Sequence, residues 1–152
     1  MADTEAGRFT VGVFQDVSWA GKGLAALTRA GLLPESLSIV ALASTEVDGL
    51  IRQTLNAAPD AMQVAGVGEV LARGPVLRAL QGTSAELATQ GFAGTMRRIG
   101  FQPHDARIFE ALTARGGVLV AVHSEPRAAD ALAVMHAFGG GNAAIGAWTG
   151  RL

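Results

Sequence analysis

The sequence contains no cysteine. Disulfide bonds, thiolate metal sites and cysteine nucleophiles are therefore excluded, and the composition fits a reducing compartment. Long apolar runs are also missing, since no stretch reaches the roughly 20 predominantly apolar residues of a membrane-spanning helix. The N-terminus, Met1 to Arg8, is polar and acidic and does not have the pattern of a signal peptide. These features predict a soluble, cytoplasmic protein with no stable membrane insertion.

Charge is scarce and evenly mixed along the chain. Charged residues make up 16% of the sequence, the formal net charge is −1, and Lys22 is the single lysine. Without a basic block or stripe, the sequence predicts no nucleic-acid partner. Hydrophobic residues make up 49% of the 152 residues, which is enough for one domain, 1–152, with its own core.

The first part of the chain has the pattern of a β-α-β unit. Phe9 to Phe14 is predicted as a strand because it is short, β-branched and aromatic. Asp16 and Ser18 supply N-cap oxygens for a helix that Gly31 ends, and Leu37 to Ala43 forms the next strand. This last strand is apolar enough to be buried on both faces.

A second β-α-β unit is predicted near the other end, from the strand Val118 to His123 through a helix opened by Pro126 to a weaker strand, Asn142 to Trp148. The spacing of 108 positions between Gly31 and Gly139 aligns the two helices as a faint repeat. Two such halves in one chain predict an α/β (α+β) fold with a ferredoxin-like four-stranded sheet and both helices on one side. The other face then needs a helix or a second copy of the protein to cover it.

Between the halves, residues 8–43 and 103–150, lies an insert, 44–102, that is predicted to be mostly helical. One helix starts after Ser44-Thr45, another runs from Ser84 to Arg98, and Pro103 opens a third that begins the second half. Val64 to Leu71 fits a strand or a helix equally well. The insert helices either cover the free sheet face or form a lobe of their own.

Four segments resemble a known bacterial family. They are Val11 to Phe14, Ala72 to Leu77, Ile99 to Ala106 and Arg115 to Val120. In these segments the chain resembles the heat-induced stress protein YflT-like, or general stress protein M-type, domains. The resemblance implies a small α/β fold and an association with bacterial stress responses. It implies no catalytic residue, because the family has no catalytic motif to match.

Candidate ligand-binding residues lie at strand ends and in one glycine-rich loop. His123 ends the strand that begins at Val118, and Asp16 follows the first strand, so the two are candidates for the walls of one pocket. Gly140, Gly141 and Asn142 belong to a turn whose backbone N–H groups suit an anion. Each has a structural alternative: Asp16 as an N-cap, His123 as a locally bonded residue and the glycines as a turn.

No catalytic, metal-binding or cofactor motif emerges from the sequence. The histidines lack metal-ligand spacing, and the serines lack a nucleophile elbow. We therefore predict no cofactor and no metal, and we expect a non-enzymatic stress-associated module that acts through self-association or a protein partner. The alternative is a small-molecule- or anion-binding regulatory domain, and an enzyme is a third hypothesis.

Overall fold

The structure is a computed structural model that describes residues 10–81, 86–95, 103–123 and the helical residues 133, 134 and 137. The strands are β1 (Thr10–Phe14), β2 (Leu37–Leu42), β3 (Asp60–Val64), β4 (Gly68–Arg73) and β5 (Val118–Val122). The helices are α1 (Val17–Arg29), α2 (Thr45–Leu55), α3 (Pro75–Gln81), α4 (Glu86–Thr95) and α5 (Pro103–Ala114), with a 3-10 turn at Pro34–Ser36. The fold is mixed α/β, as predicted.

The strands form one five-stranded sheet in the order β1-β5-β2-β4-β3, with every neighbouring pair antiparallel. β1 and β2 therefore run in the same direction on either side of β5, and α1 connects them. Three of the four predicted strands are present, whereas the fourth, Asn142 to Trp148, lies outside the described residues. The predicted four-stranded ferredoxin-like layout is not confirmed.

The insert adds two strands to the sheet, which the sequence pattern did not separate from helix. β3 and β4 form a hairpin around Ala65 to Val67, and β4 pairs with β2 over Ile39 to Leu42. Gly66 and Gly68 have positive φ angles of 83° and 113°, which let the chain reverse between the two strands. In the part of the chain that the structure describes, the sheet therefore has five strands, three of them predicted and two contributed by this hairpin.

Both faces of the sheet are covered. Along β5, Val118, Val120 and Val122 join the cluster formed with α1 and α2, whereas Leu119 and Ala121 join the cluster formed with α3, α4 and α5. The insert helices α3 and α4 pack on the second face together with α5, which is one of the two arrangements that the sequence left open. The part of the insert that the structure describes also joins the sheet and its core, so it is not a separate lobe.

The boundaries of α1 and α2 follow their local signals. The side chain of Ser44 accepts a hydrogen bond of 3.1 Å from the Val47 N–H and caps α2. At the end of α1, Gly31 has a φ of 99° and the Leu32 N–H donates to the Leu27 carbonyl at 3.1 Å, which is a Schellman motif. Because β1 and β2 run in the same direction, α1 and α2 both start at the same end of the sheet, beyond the carboxyl ends of these strands.

Candidate functional site

Asp16 lies at the start of α1 and caps it. Its carboxylate accepts a hydrogen bond of 2.9 Å from the Trp19 N–H, in an exposed position. The structural role that the sequence offered for Asp16 is thus present. A role in ligand binding stays a prediction.

Replacing Asp16 with alanine is expected to lower the free energy of unfolding by about 1 kcal/mol, because the first turn of α1 loses its cap. Asp16→Asn keeps an oxygen acceptor and is expected to retain most of the stability. Urea denaturation of the three proteins measures both effects. Equal losses in the two variants would show that the carboxylate charge, not the cap, is what the position needs.

His123 follows β5 at the other end of the sheet. Its backbone N–H donates to the Ser36 carbonyl at 2.8 Å, and the residue is half-buried. In the β1–β5 register Phe14 pairs with Val118 and Thr10 pairs with Val122. Asp16 and His123 are therefore separated by a strand of five residues, a span of about 16 Å. The structure therefore does not bring these two residues together, and a role of either in ligand binding stays a prediction.

The predicted anion-binding turn cannot be compared with the structure, because Gly140, Gly141 and Asn142 lie outside the described residues. Their role stays a prediction. Over the ranges that the structure does describe, no group of three or more histidine, aspartate or glutamate side chains is placed to hold a metal ion.

A groove of about 890 Å³ lies between α1 and α2. We name it the α1–α2 groove. The buried side chains of Leu24 and Leu50 and the half-buried Gly21 form its floor. A Cβ atom added at Gly49 would meet no other atom within 4 Å, so the space above this helix position is open. The groove exists because small residues stand where two neighbouring helices meet the solvent.

An exposed tryptophan lies on α1, outside the lining of the groove, and contacts a lysine that lines it. Trp19 is 39% exposed, and the ammonium group of Lys22, which lines the groove, lies 4.7 Å from the centroid of its ring. A cation over the ring face is attracted by the aromatic quadrupole. The pair holds a large aromatic surface and a positive charge together on the same side of α1.

The two rims of the groove carry opposite charges. Lys22 and Arg29 line it from α1, and Glu46 lines it from the first turn of α2. In the part of the chain that the structure describes, neither Arg29 nor Glu46 has an ion-pair partner. On the same helix, by contrast, Asp48 and Arg52 pair with each other at 2.9 Å.

A second cleft, of about 670 Å³, lies at the end of the sheet where β2 starts and β4 ends. Leu33, which is 63% exposed, and the half-buried Leu55 contribute apolar surface to it. The Arg73 guanidinium also lines it, donates to the Ala58 carbonyl at 3.3 Å and lies 3.7 Å from the Asp60 carboxylate. This cleft combines apolar walls with one half-exposed cation, Arg73, and one exposed carboxylate, Glu35.

Sequence reasoning missed the α1–α2 groove because it searched for chemically reactive residues. The available signal was a glycine in the interior of each of two amphipathic helices, Gly21 and Gly49, where alanine would favour the helix more. Gly21 and Gly23 flank the only lysine, and all three residues lie inside α1.

The described helices include none that is long and apolar enough to cross a membrane. The geometry gives two open surfaces, the α1–α2 groove and the cleft beside Arg73, as places for a binding partner. Comparison of the chain with protein-family models, with curated proteins and with solved structures gives no match.

Proposed function

We propose that this protein is a non-enzymatic, cytoplasmic association module that binds a protein partner through the α1–α2 groove. The observation that carries the proposal is the open groove of about 890 Å³, which Lys22 lines, with the exposed Trp19 stacked against that lysine. Tryptophan is among the residues most enriched at the energetic centres of protein interfaces. Its exposure on α1 supports a surface that a partner covers.

The shape of the groove favours a helical partner. Two helices that pack side by side leave between them a channel along which a third helix lies at an interaxial distance of about 8–10 Å. Small residues, Gly49 and Ala25, line this channel and leave room for the side chains of an incoming helix. Binding of an amphipathic helix in an apolar groove is a recurring mode of protein recognition.

The proposal also includes an association with bacterial stress responses, and this part depends on the resemblance to the YflT-like family. The segments that carry it include Val11 to Phe14 and Arg115 to Val120, which lie in and next to β1 and β5. These segments lie in the edge strand β1 and its neighbour β5, not in the groove. The resemblance therefore supports the cellular context of the module, and the groove supports the way it acts.

The experiment compares two variants of α2 that differ in where the new side chain lies. Gly49→Gln fills the α1–α2 groove, whereas Arg52→Gln changes an exposed position that does not line it. The tagged wild-type protein and both variants are purified gently from the protein's own host and examined by native mass spectrometry. Circular dichroism confirms that each variant is folded.

The wild type and Arg52→Gln are expected to carry a protein partner, which is either another protein or a second copy. Gly49→Gln is expected to lose at least nine-tenths of that complex, because its side chain occupies the partner's place (a tenfold loss corresponds to about 1.4 kcal/mol). A complex that survives Gly49→Gln, or a wild type without any protein partner, would contradict the proposal.

The cleft beside Arg73 favours an alternative function, a small-molecule- or anion-binding regulatory domain. Its apolar walls and single guanidinium suit a small apolar carboxylate better than a highly charged ligand. Calorimetric titration with hexanoate, with inorganic phosphate for comparison, tests this function. The alternative requires heat of binding from hexanoate that Arg73→Gln abolishes, and a flat titration of the folded wild type excludes binding of this ligand class.

A further inference from the structure

The opposite charges on the two rims of the α1–α2 groove point to its occupant. The rim on α1 is basic through Lys22 and Arg29, and the rim on α2 is acidic through Glu46. A partner that complements both rims needs an acidic rim over α1 and a basic rim over α2. A second copy of the same face, turned over, has this arrangement.

The symmetry that brings the rims together is a two-fold axis that runs above the groove, parallel to both helices. β1 and β2 run in the same direction, so α1 and α2 start at the same end of the sheet and run side by side. Rotation by 180° about this axis places α1 of one copy over α2 of the other, with the helix directions preserved. Each contact then occurs twice, as in any two-fold interface.

The positions of the charges along the helices fit this arrangement. Side chains on a helix point toward its N-terminus, and the Lys22 ammonium accordingly lies over Trp19, one turn nearer the start of α1. Glu46 is in the first turn of α2. Both charges therefore lie near the N-terminal ends of their helices. The rotation places the α1 rim of one copy against the α2 rim of the other at this end.

We infer that the α1–α2 groove binds a second copy of this chain about this axis, with Lys22 of each copy paired with Glu46 of the other. The inference rests on the proposed function, because it names the occupant of the same groove. The two helices of one copy then stack on the two helices of the other, so that the two grooves face each other and cover the floor residues Leu24 and Leu50.

The size of the face predicts a weak dimer. α1 has 13 residues, so it is about 20 Å long, and two adjacent helices are about 20 Å wide. A face of about 400 Å² in projection gives an interface area at or below the smallest areas found in stable complexes. We therefore expect a dissociation constant in the micromolar range, with weaker association at higher salt.

Charge reversal tests the pairing directly. Lys22→Glu and Glu46→Lys are prepared separately, with Arg115→Glu as a control that makes the same change in net charge as Lys22→Glu at an exposed position outside the groove. Sedimentation velocity over a range of about 1 to 200 µM protein at low salt measures the dimer dissociation constant of each protein. Thermal unfolding confirms that every variant is folded.

Each single reversal is expected to weaken the homodimer at least tenfold, since two attractive pairs become two repulsive pairs. Arg115→Glu is expected to dimerise like the wild type. A one-to-one mixture of Lys22→Glu with Glu46→Lys is expected to restore the dimer, because in the mixed dimer both pairs are again attractive. Together with dimerisation of the wild type, such a heterodimer is the result expected when residue 22 of one copy faces residue 46 of the other, because pairing of residue 22 with residue 22 would be repulsive in the wild type.

The inference is overturned if the folded wild type stays monomeric up to the highest concentration, or if the mixture of the two variants does not associate. Failure of this inference can be distinguished from failure of the proposed function. A monomeric protein that still carries a different protein from its host, and loses it in Gly49→Gln, keeps the association module and removes only the second copy. A protein that binds nothing through the groove removes both.

Discussion

Replacing Gly74 with alanine is expected to lower the free energy of unfolding by roughly 3 kcal/mol or more, one of the largest effects of any single methyl group in this chain. Gly74 joins β4 to α3 with a φ of 127°, a conformation that side chains rarely adopt. An added Cβ would also overlap the Cα and Oγ atoms of Ser38 and would lie 2.5 Å from the Leu37 carbonyl oxygen. The overlap involves the backbone of β2, which cannot move without disturbing the sheet.

The close approach at Gly74 serves a second purpose, the capping of α3. The hydroxyl of Ser38 is fully buried in β2 and accepts a hydrogen bond of 2.9 Å from the Val76 N–H. This N–H is in the first turn of α3 and has no partner within the helix. Ser38 reaches it because the glycine lets the chain pass directly against the strand. Alanine at position 74 therefore threatens the cap as well as the turn.

Gly68→Ala is the matched control for Gly74→Ala. Gly68 also has a positive φ, of 113°, but a Cβ added there would meet no atom within 4 Å. Its replacement is expected to cost only the backbone strain, about 1–2 kcal/mol. Urea denaturation followed by circular dichroism gives the three free energies of unfolding. Equal losses at the two positions would show that strain alone, without the contact to Ser38, explains the requirement at Gly74.

The parts of the fold that the sequence predicted correctly are the parts whose signals are local. α1 begins after Asp16 and α2 begins after Ser44, because a single side-chain oxygen caps each helix within its own first turn. β2 and β5 were recognised from continuous apolar runs, which are typical of strands covered on both faces. None of these predictions depends on which elements meet in space.

The parts that the sequence did not predict depend on contacts between distant segments. Ser38 and Val76 are 38 positions apart, and nothing near either residue announces the hydrogen bond between them. The covering of the second sheet face depends in the same way on α5 returning beneath β1 and β2. The sequence left undecided whether helices of the chain or a second copy of the protein cover that face. Because α3, α4 and α5 pack there, that face no longer supports an argument for self-association.

The candidate site illustrates the same limit. Asp16 and His123 were correctly placed at the ends of strands, which is a local property. Whether two strand ends lie together depends on whether the strands are parallel, and the antiparallel pairing of β1 with β5 puts these residues at opposite ends of the sheet. The α1–α2 groove formed instead from residues without reactive groups, which is why a search for catalytic or metal-binding patterns passed over it.

The second large effect is expected at Gly91, where the sequence and the structure give opposite predictions. Read as a glycine within a helix, Gly91 only weakens α4, so alanine would be expected to stabilise the protein. In the structure Gly91 interrupts α4 with a φ of 65° and a ψ of −168°, a region that is essentially restricted to glycine. The kink allows the carbonyl of Ala65, at the β3–β4 turn, to approach the buried backbone of α4.

The Ala65 peptide is held against α4 on both of its sides. Its N–H donates to the Leu87 carbonyl at 2.9 Å, and its carbonyl oxygen occupies the space that a Cβ at position 91 would need. The same Cβ would lie 2.7 Å from the Oε1 atom of Glu110 on α5. Gly91→Ala is therefore expected to disturb the junction of the hairpin, α4 and α5 and to lower the free energy of unfolding by roughly 3 kcal/mol or more.

Gly49→Ala provides the comparison of opposite sign. Gly49 lies within α2, and a Cβ added there would meet no atom within 4 Å. Alanine at this position is therefore expected to raise the free energy of unfolding by about 0.5–1 kcal/mol. Chemical denaturation of the two variants and the wild type under one set of conditions decides the matter. If Gly91→Ala were also stabilising, the kink and the docking of Ala65 on α4 would be wrong, and α4 would be the continuous helix that its sequence suggests.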